Sequence, residues 1–261
     1  MQSETIDTHE AIRLFREFMQ PASDLRVIHL VGDAKMGKTH LLAKIFPIQA
    51  VQDHQARYAL LDLRNPMTIP DILQFLCISL GKAHFDRYQA AHQQWSTKPK
   101  VSIQGMTAIA SSVSIVAKDT EEDRRARDRE FTNQFVEDLS RLNDSPLLLL
   151  LDHFTPVESF SKAKKEMQIW LMETLVALIT QYAHVRVIIA GRTLPDAPSS
   201  YAACCQSVRL RAVKDVEEYI TFCKKSNVTL EEQSIRDFAL AVDYTPGLFA
   251  DLAYKFTKQR V

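Results

Sequence analysis

Leu25–Phe46, LRVIHLVGDAKMGKTHLLAKIF, is the stretch on which the fold turns. Leu25 to Val31 is an apolar run of strand length, and Lys38 to Phe46 reads as a helix that Pro47 ends. Between them Gly32-Asp33-Ala34-Lys35-Met36-Gly37-Lys38-Thr39 matches GxxxxGK[ST] in full, in the strand–loop–helix setting that the motif requires. The chemistry explains each residue type. Glycines let the backbone curl so that its N–H groups point inward at phosphate oxygens, and the helix N-terminus adds a favourable dipole. Lys38 is placed to reach the β- and γ-phosphates, and the Thr39 hydroxyl to ligate Mg²⁺. The eight loop residues and His40 after them are the candidate nucleotide-binding set.

Such a loop needs an acid at the end of a neighbouring buried strand, to hold Mg²⁺ partly through water. Leu147 to Leu151, an unbroken run of leucines after Ser145-Pro146, reads as a strand buried on both faces, and Asp152 follows it. Ala56 to Leu63, Val185 to Ala190 and Ser207 to Leu210 are further strand candidates. Helical patterns separate them, at Thr68 to Gly81, Glu121 to Leu142 and Lys164 to Tyr182, so the alternation predicts an α/β fold with a mainly parallel sheet. Ahead of the first strand, Asp7 and Glu10 have capping-box spacing and open a helix that stops at Pro21. After Leu210 the strands cease. Val213 to Lys224, Glu231 to Val242 (with Thr229 and Glu232 as a capping box) and Gly247 to Lys258 read as three helices.

The expected organisation is therefore a core at 1–210, with an insertion at 82–120, and a helical lid at 211–261. Within the insertion, Lys100 to Lys118 has the alternation of a hairpin.

With 46% apolar and 25% charged residues, the 261-residue chain can bury a large core, which excludes disordered and collagen-like classes. Lys+Arg 32 balances Asp+Glu 32, so no global positive field recruits nucleic acid or anionic lipid. No apolar run has the length of a membrane span, and MQSETIDTHE lacks the layout of a secretory signal, so a cytoplasmic location is expected. The four cysteines have no zinc-type spacing, and His29 reads as a half-buried strand residue. Serines without a GxSxG elbow give acyl transfer no support.

Through GDAKMGKT, LLLLLDHF, VRVIIAGR and the DVEEYI-led helices after them, nearly the whole chain resembles the STAND class of AAA+-related P-loop NTPases, the regulatory ATPases that include NACHT and apoptotic nucleotide-binding domains. The resemblance implies an ASCE/AAA+-like sheet, ATP or ADP with Mg²⁺ as ligands, and Arg192 after VRVIIAG as the γ-phosphate sensor. It also implies a lid motif against the base. Tyr244-Thr245-Pro246-Gly247 stands there with Pro before Gly, so Pro246 is either a base contact or the first residue of a helix. Where AAA+ motors have a water-polarising glutamate after the acid, this chain has His153, a structural residue or a proton acceptor, and Glu158 is a substitute only if its loop folds back.

The expected function is a nucleotide-operated switch with slow or partner-dependent hydrolysis. An active AAA+ motor or loader and a nonhydrolysing interaction module are the alternatives. Arg124, Arg125, Arg127 and Arg129 are a solvated helix face or, alternatively, a source of an arginine finger for a neighbouring subunit. Expected partners are proteins, fused effector or sensor domains, or further copies of the chain, rather than membrane or nucleic acid.

Overall fold

The computed structural model describes residues 8–65, 67–97, 120–154 and 162–258, which divide into two compact units, Met1–Pro66 with Asn143–Val261, and Met67–Leu142.

In the first unit five strands form one all-parallel sheet: β1 (Val27–Val31), β2 (Arg57–Asp62), β3 (Leu147–Phe154), β4 (Val185–Gly191) and β5 (Cys205–Arg209), in the order β2-β3-β4-β1-β5. β4 stands between β1 and β3, so the strand carrying Asp152 is next but one to the strand before the 32–39 loop, not its neighbour as the sequence suggests. Every residue of β1 and β4 is buried, as expected of central parallel strands covered on both faces. Each leucine of Leu147–Leu151 removed from water contributes roughly 1.5–3 kcal/mol. β2 and β5 are the edges, and on β5 Gln206, Ser207 and Arg209 are exposed polar residues that blunt the edge.

Alternate strand residues face opposite sides. Ile28, Leu30, Leu148, Leu150, Ile188 and Ala190 share one core with α1 (His9–Phe18) and with the helix that follows the loop. On the other side, Tyr201 stands edge-on to His29 and 3.8 Å from the Met172 sulfur. His29 is 2% exposed, so it is fully buried where half-burial was expected, because the sheet is covered on this face too.

Three local outcomes depart from the sequence reading. α1 is capped by Thr8, whose side chain makes no cap hydrogen bond, and it ends at Phe18 before Pro21. Asp7 lies outside the described residues. The buried Arg186 of β4 closes that helix end by donating to the carbonyls of Phe18 (2.7 Å) and Gln20 (3.2 Å).

The helix after the loop, α2, runs Lys38–His40, Leu41–Ile45 and Phe46–His54, straight through Pro47. Its Leu41–Ile45 stretch is π-helical, and the widened turn accommodates a proline ring that would clash with the carbonyl of a regular preceding turn. A second π-helical stretch, Trp170–Val176, lies within the helix from Lys162 to Ile179.

Residues 213–253 have a core of their own, around Tyr219, Phe222, Ile235 and Phe249, shared by α6 (Val216–Lys225), α7 (Glu232–Ala241) and α8 (Pro246–Lys258). The Thr229/Glu232 capping box does not form. Glu231 is the cap residue of α7 and its side chain makes no cap bond.

The second unit is helical: α3 (Ile69–Gly81), α4 (Asp86–Thr97) and α5 (Glu121–Ser140). Thr68 with Asp71, and Thr120 with Asp123, form reciprocal capping boxes. Stacked Phe85 and Phe135 lie 5.2 Å apart in its core. The hairpin expected at 100–118 falls outside the described residues. Among the described residues no helix is long and apolar enough to cross a membrane.

Candidate functional site

Parallel strands all end on one side, and the chain leaves β1 toward β2 but β4 toward β5, so the sheet reverses direction between β1 and β4. Open α/β sheets bind ligands beyond the carboxyl ends of their strands at such a point. The 32–39 loop starts there, tied by the Gly32 amide to the Gly191 carbonyl at 3.2 Å. Gly37 adopts φ 90°, a left-handed conformation that side chains resist, and sets the turn into α2.

A cleft of about 910 Å³ opens above this edge. It gathers Ala34, Lys35, Gly37, Lys38, Thr39 and His40 from the loop and helix, Asp152 and His153 from β3, Arg192 after β4, and Pro246 from α8. Of the other sequence candidates, Gly32 and Asp33 face Lys38 with their carbonyls, Met36 packs on the core beside α1, and Glu158 lies outside the described residues.

Lys38 Nζ donates to the carbonyls of Gly32 (2.5 Å) and Asp33 (2.7 Å). Burial holds its pKa below the usual lysine value; Arg192 pushes the same way, and Asp152 and Asp33 oppose.

Asp152 is 4% exposed. Its Oδ1 accepts from the His153 amide at 2.8 Å. The β3–β4 ladder shifts register between Leu151 and Phe154, and within that bulge His153 has φ 60°. His153 Nδ1 stands 3.2 Å from Asp152 Oδ2 and 3.2 Å from Asp62 Oδ1, Asp62 being the ladder partner of Asp152 on β2.

α8 forms the opposite wall. Pro246 is its first residue, so the helix-start role is realised, and Pro246 lines the cleft as well. The Gly247 amide donates to the Lys35 carbonyl at 2.8 Å, and Lys35 Nζ pairs with Asp251 at 2.9 Å. Sequence reasoning missed Arg64, Thr8, Phe222 and Tyr254 on the cleft wall. Phe222 and Tyr254 meet edge to face at 6.1 Å. None of the four belongs to a phosphate- or metal-binding motif, and only the folded chain brings them here.

The donor set decides what the cleft could hold. Among the described residues no group of three or more His, Cys, Asp or Glu is arranged to bind a metal by itself. Thr39 and Asp152 offer a hydroxyl and a carboxylate, which suits Mg²⁺, a cation that keeps waters and completes its shell on substrate phosphates. Lys38 and Arg192 suit the phosphates themselves.

No protein-family model matches the chain, and none of the curated proteins compared with it matches.

Proposed function

We propose that the chain is an ATP-operated switch of the P-loop NTPase class, allied to the STAND group, that hydrolyses ATP slowly or with a partner's help. The observation that carries this reading is the convergence of Lys38, Thr39, Asp152 and Arg192 on one cleft at the reversal point of a parallel sheet, with α8 as its far wall.

In this reading Lys38 exchanges its two neutral carbonyl acceptors for the charged oxygens of the β- and γ-phosphates, so that donor and acceptor are both ionised. Bound Mg²⁺ would offset phosphate charge, held by Thr39 and Asp152. Arg192 meets the third phosphate, and the Phe222 and Tyr254 rings give the base an apolar wall.

Slow turnover follows from the neighbourhood of Asp152. His153 follows it directly, and the nearby carboxylate of Asp62 is engaged by Arg64 through Nε at 2.9 Å. The switch lies in α8, which is bonded to the loop that grips phosphate, so a ligand that favours one α8 position shifts its population. Altered assembly or partner binding is the output.

Calorimetry tests the reading. The parent protein should bind ATP and ADP in the presence of Mg²⁺, and Lys38→Ala should abolish most of that affinity. Unchanged affinity in the variant would remove the loop as the site.

A further inference from the structure

Arg64 stands two residues past β2, at the same edge of the sheet as the residues assigned above. Along that edge the strand order sets a row: the 32–39 loop after β1, Arg192 after β4, Asp152 near the end of β3 and Arg64 after β2. With parallel strands about 4.8 Å apart, β2 stands roughly 14 Å from β1, and the phosphate chain would have to run from the loop toward β3 and β2. Arg64 lines the same cleft as Lys38 and Arg192 and lies beyond Asp152 in that direction.

The guanidinium is held in place. Asp62 accepts from Arg64 Nε at 2.9 and 3.1 Å, from Nη2 at 2.5 Å and from the Arg64 amide at 3.0 Å. This pairing holds the Asp62 carboxyl below the usual aspartate range, so the partner is ionised. A guanidinium has five N–H donors in a rigid fork, and Asp62 engages only the Nε and Nη2 side, which leaves Nη1 for a ligand.

As a stability device the pair is poor. Its two side chains are 66% and 36% exposed, and exposed ion pairs contribute little. As a device for aiming a cation along a cleft it is well made, because Asp62 is itself anchored opposite Asp152 in the ladder.

We propose that Arg64, aimed by Asp62, is a second cation for the terminal phosphate of a nucleoside triphosphate, so that Arg64 and Arg192 together separate triphosphate from diphosphate. The proposal rests on the nucleotide reading of the cleft and adds a residue to it.

The test compares the parent, Arg64→Ala and Arg64→Lys by calorimetry, with ADP and with a nonhydrolysable ATP analogue, each with Mg²⁺. Arg64→Ala should weaken the analogue about tenfold or more and leave ADP within about twofold, as loss of one charge-assisted contact to the third phosphate would. Arg64→Lys should fall between, since it keeps the charge but not the fork. The melting temperature without nucleotide should match the parent, which separates this role from a structural one.

Equal weakening of both nucleotides, or of neither, overturns the proposal and leaves the switch reading standing. A parent protein that binds neither nucleotide overturns both.

Discussion

The backbone amide of Gly247 donates to the carbonyl oxygen of Lys35 at 2.8 Å, and a Cβ on Gly247 would stand 2.5 Å from that same oxygen. The first turn of α8 therefore rests on the loop at a distance only glycine permits. Gly247→Ala must push the helix off the loop, a cost of about 1–3 kcal/mol if the contact yields as an overpacked site does. Hydrogen exchange should show faster exchange at residues 246–258 in this variant with the five-stranded sheet unchanged; unaltered protection there would show that the contact does not hold the helix.

Arg192→Ala should separate nucleotide sensing from nucleotide binding. In the parent, ATP should protect residues 211–258 from exchange or proteolysis more than ADP does, because only differential affinity moves a two-state element. The variant should lose that difference and keep ADP affinity. Equal protection by both nucleotides in the parent would leave α8 a static wall and end the switch reading.

Asp152→Asn keeps the volume and removes the charge of a buried acid that lines the cleft. Hydrolysis should fall by an order of magnitude or more while nucleotide affinity falls less, since the 32–39 loop and Lys38 are untouched. Turnover at the parent rate, measured by phosphate release, would exclude Asp152 as the residue holding the catalytic cation.

His29 sets a pH dependence that has nothing to do with ligand. Burial lowers its pKa from the ordinary value, and its Nε2 has no hydrogen-bond partner among the described residues. A depressed folded-state pKa means that stability is fully present above the unfolded value of about 6.5 and is lost as pH falls below it toward the folded value. The capping carboxylate of Asp71 and the paired Asp62 are depressed too, but they act only below the aspartate range. Urea midpoints should therefore drop between pH 7 and 5 in the parent, and His29→Leu should flatten that drop. An unchanged slope in the variant would place its origin elsewhere.

What was legible in the sequence follows from where the determinants lie. Leu147–Leu151 and Val185–Ala190 read as strands because their burial on both faces leaves no polar interruption, and the 32–39 loop is read from spacing within eight residues. Strand order was not legible: nothing in Val185–Ala190 says that it separates β1 from β3. α2 runs through Pro47 because a π-helical stretch removes the conflict, and a 3.6-residue pattern contains no sign of that. Thr229 and Glu232 have capping spacing, yet the helix begins at Glu232 itself, too late for that box. Arg64, Thr8, Phe222 and Tyr254 reach the cleft from four separate segments, where proximity is a product of topology alone.

The left-handed backbone of His153 has a consequence for how this position can vary. Few side chains tolerate φ 60°, and histidine, asparagine and aspartate are enriched among those that do. A glutamate introduced after Asp152 would have to adopt that strained backbone or straighten the bulge and move Asp152 with it. Position 153 is thus restricted by its backbone before any chemistry is considered, and a change of side chain there is coupled to the placement of the Asp152 carboxylate.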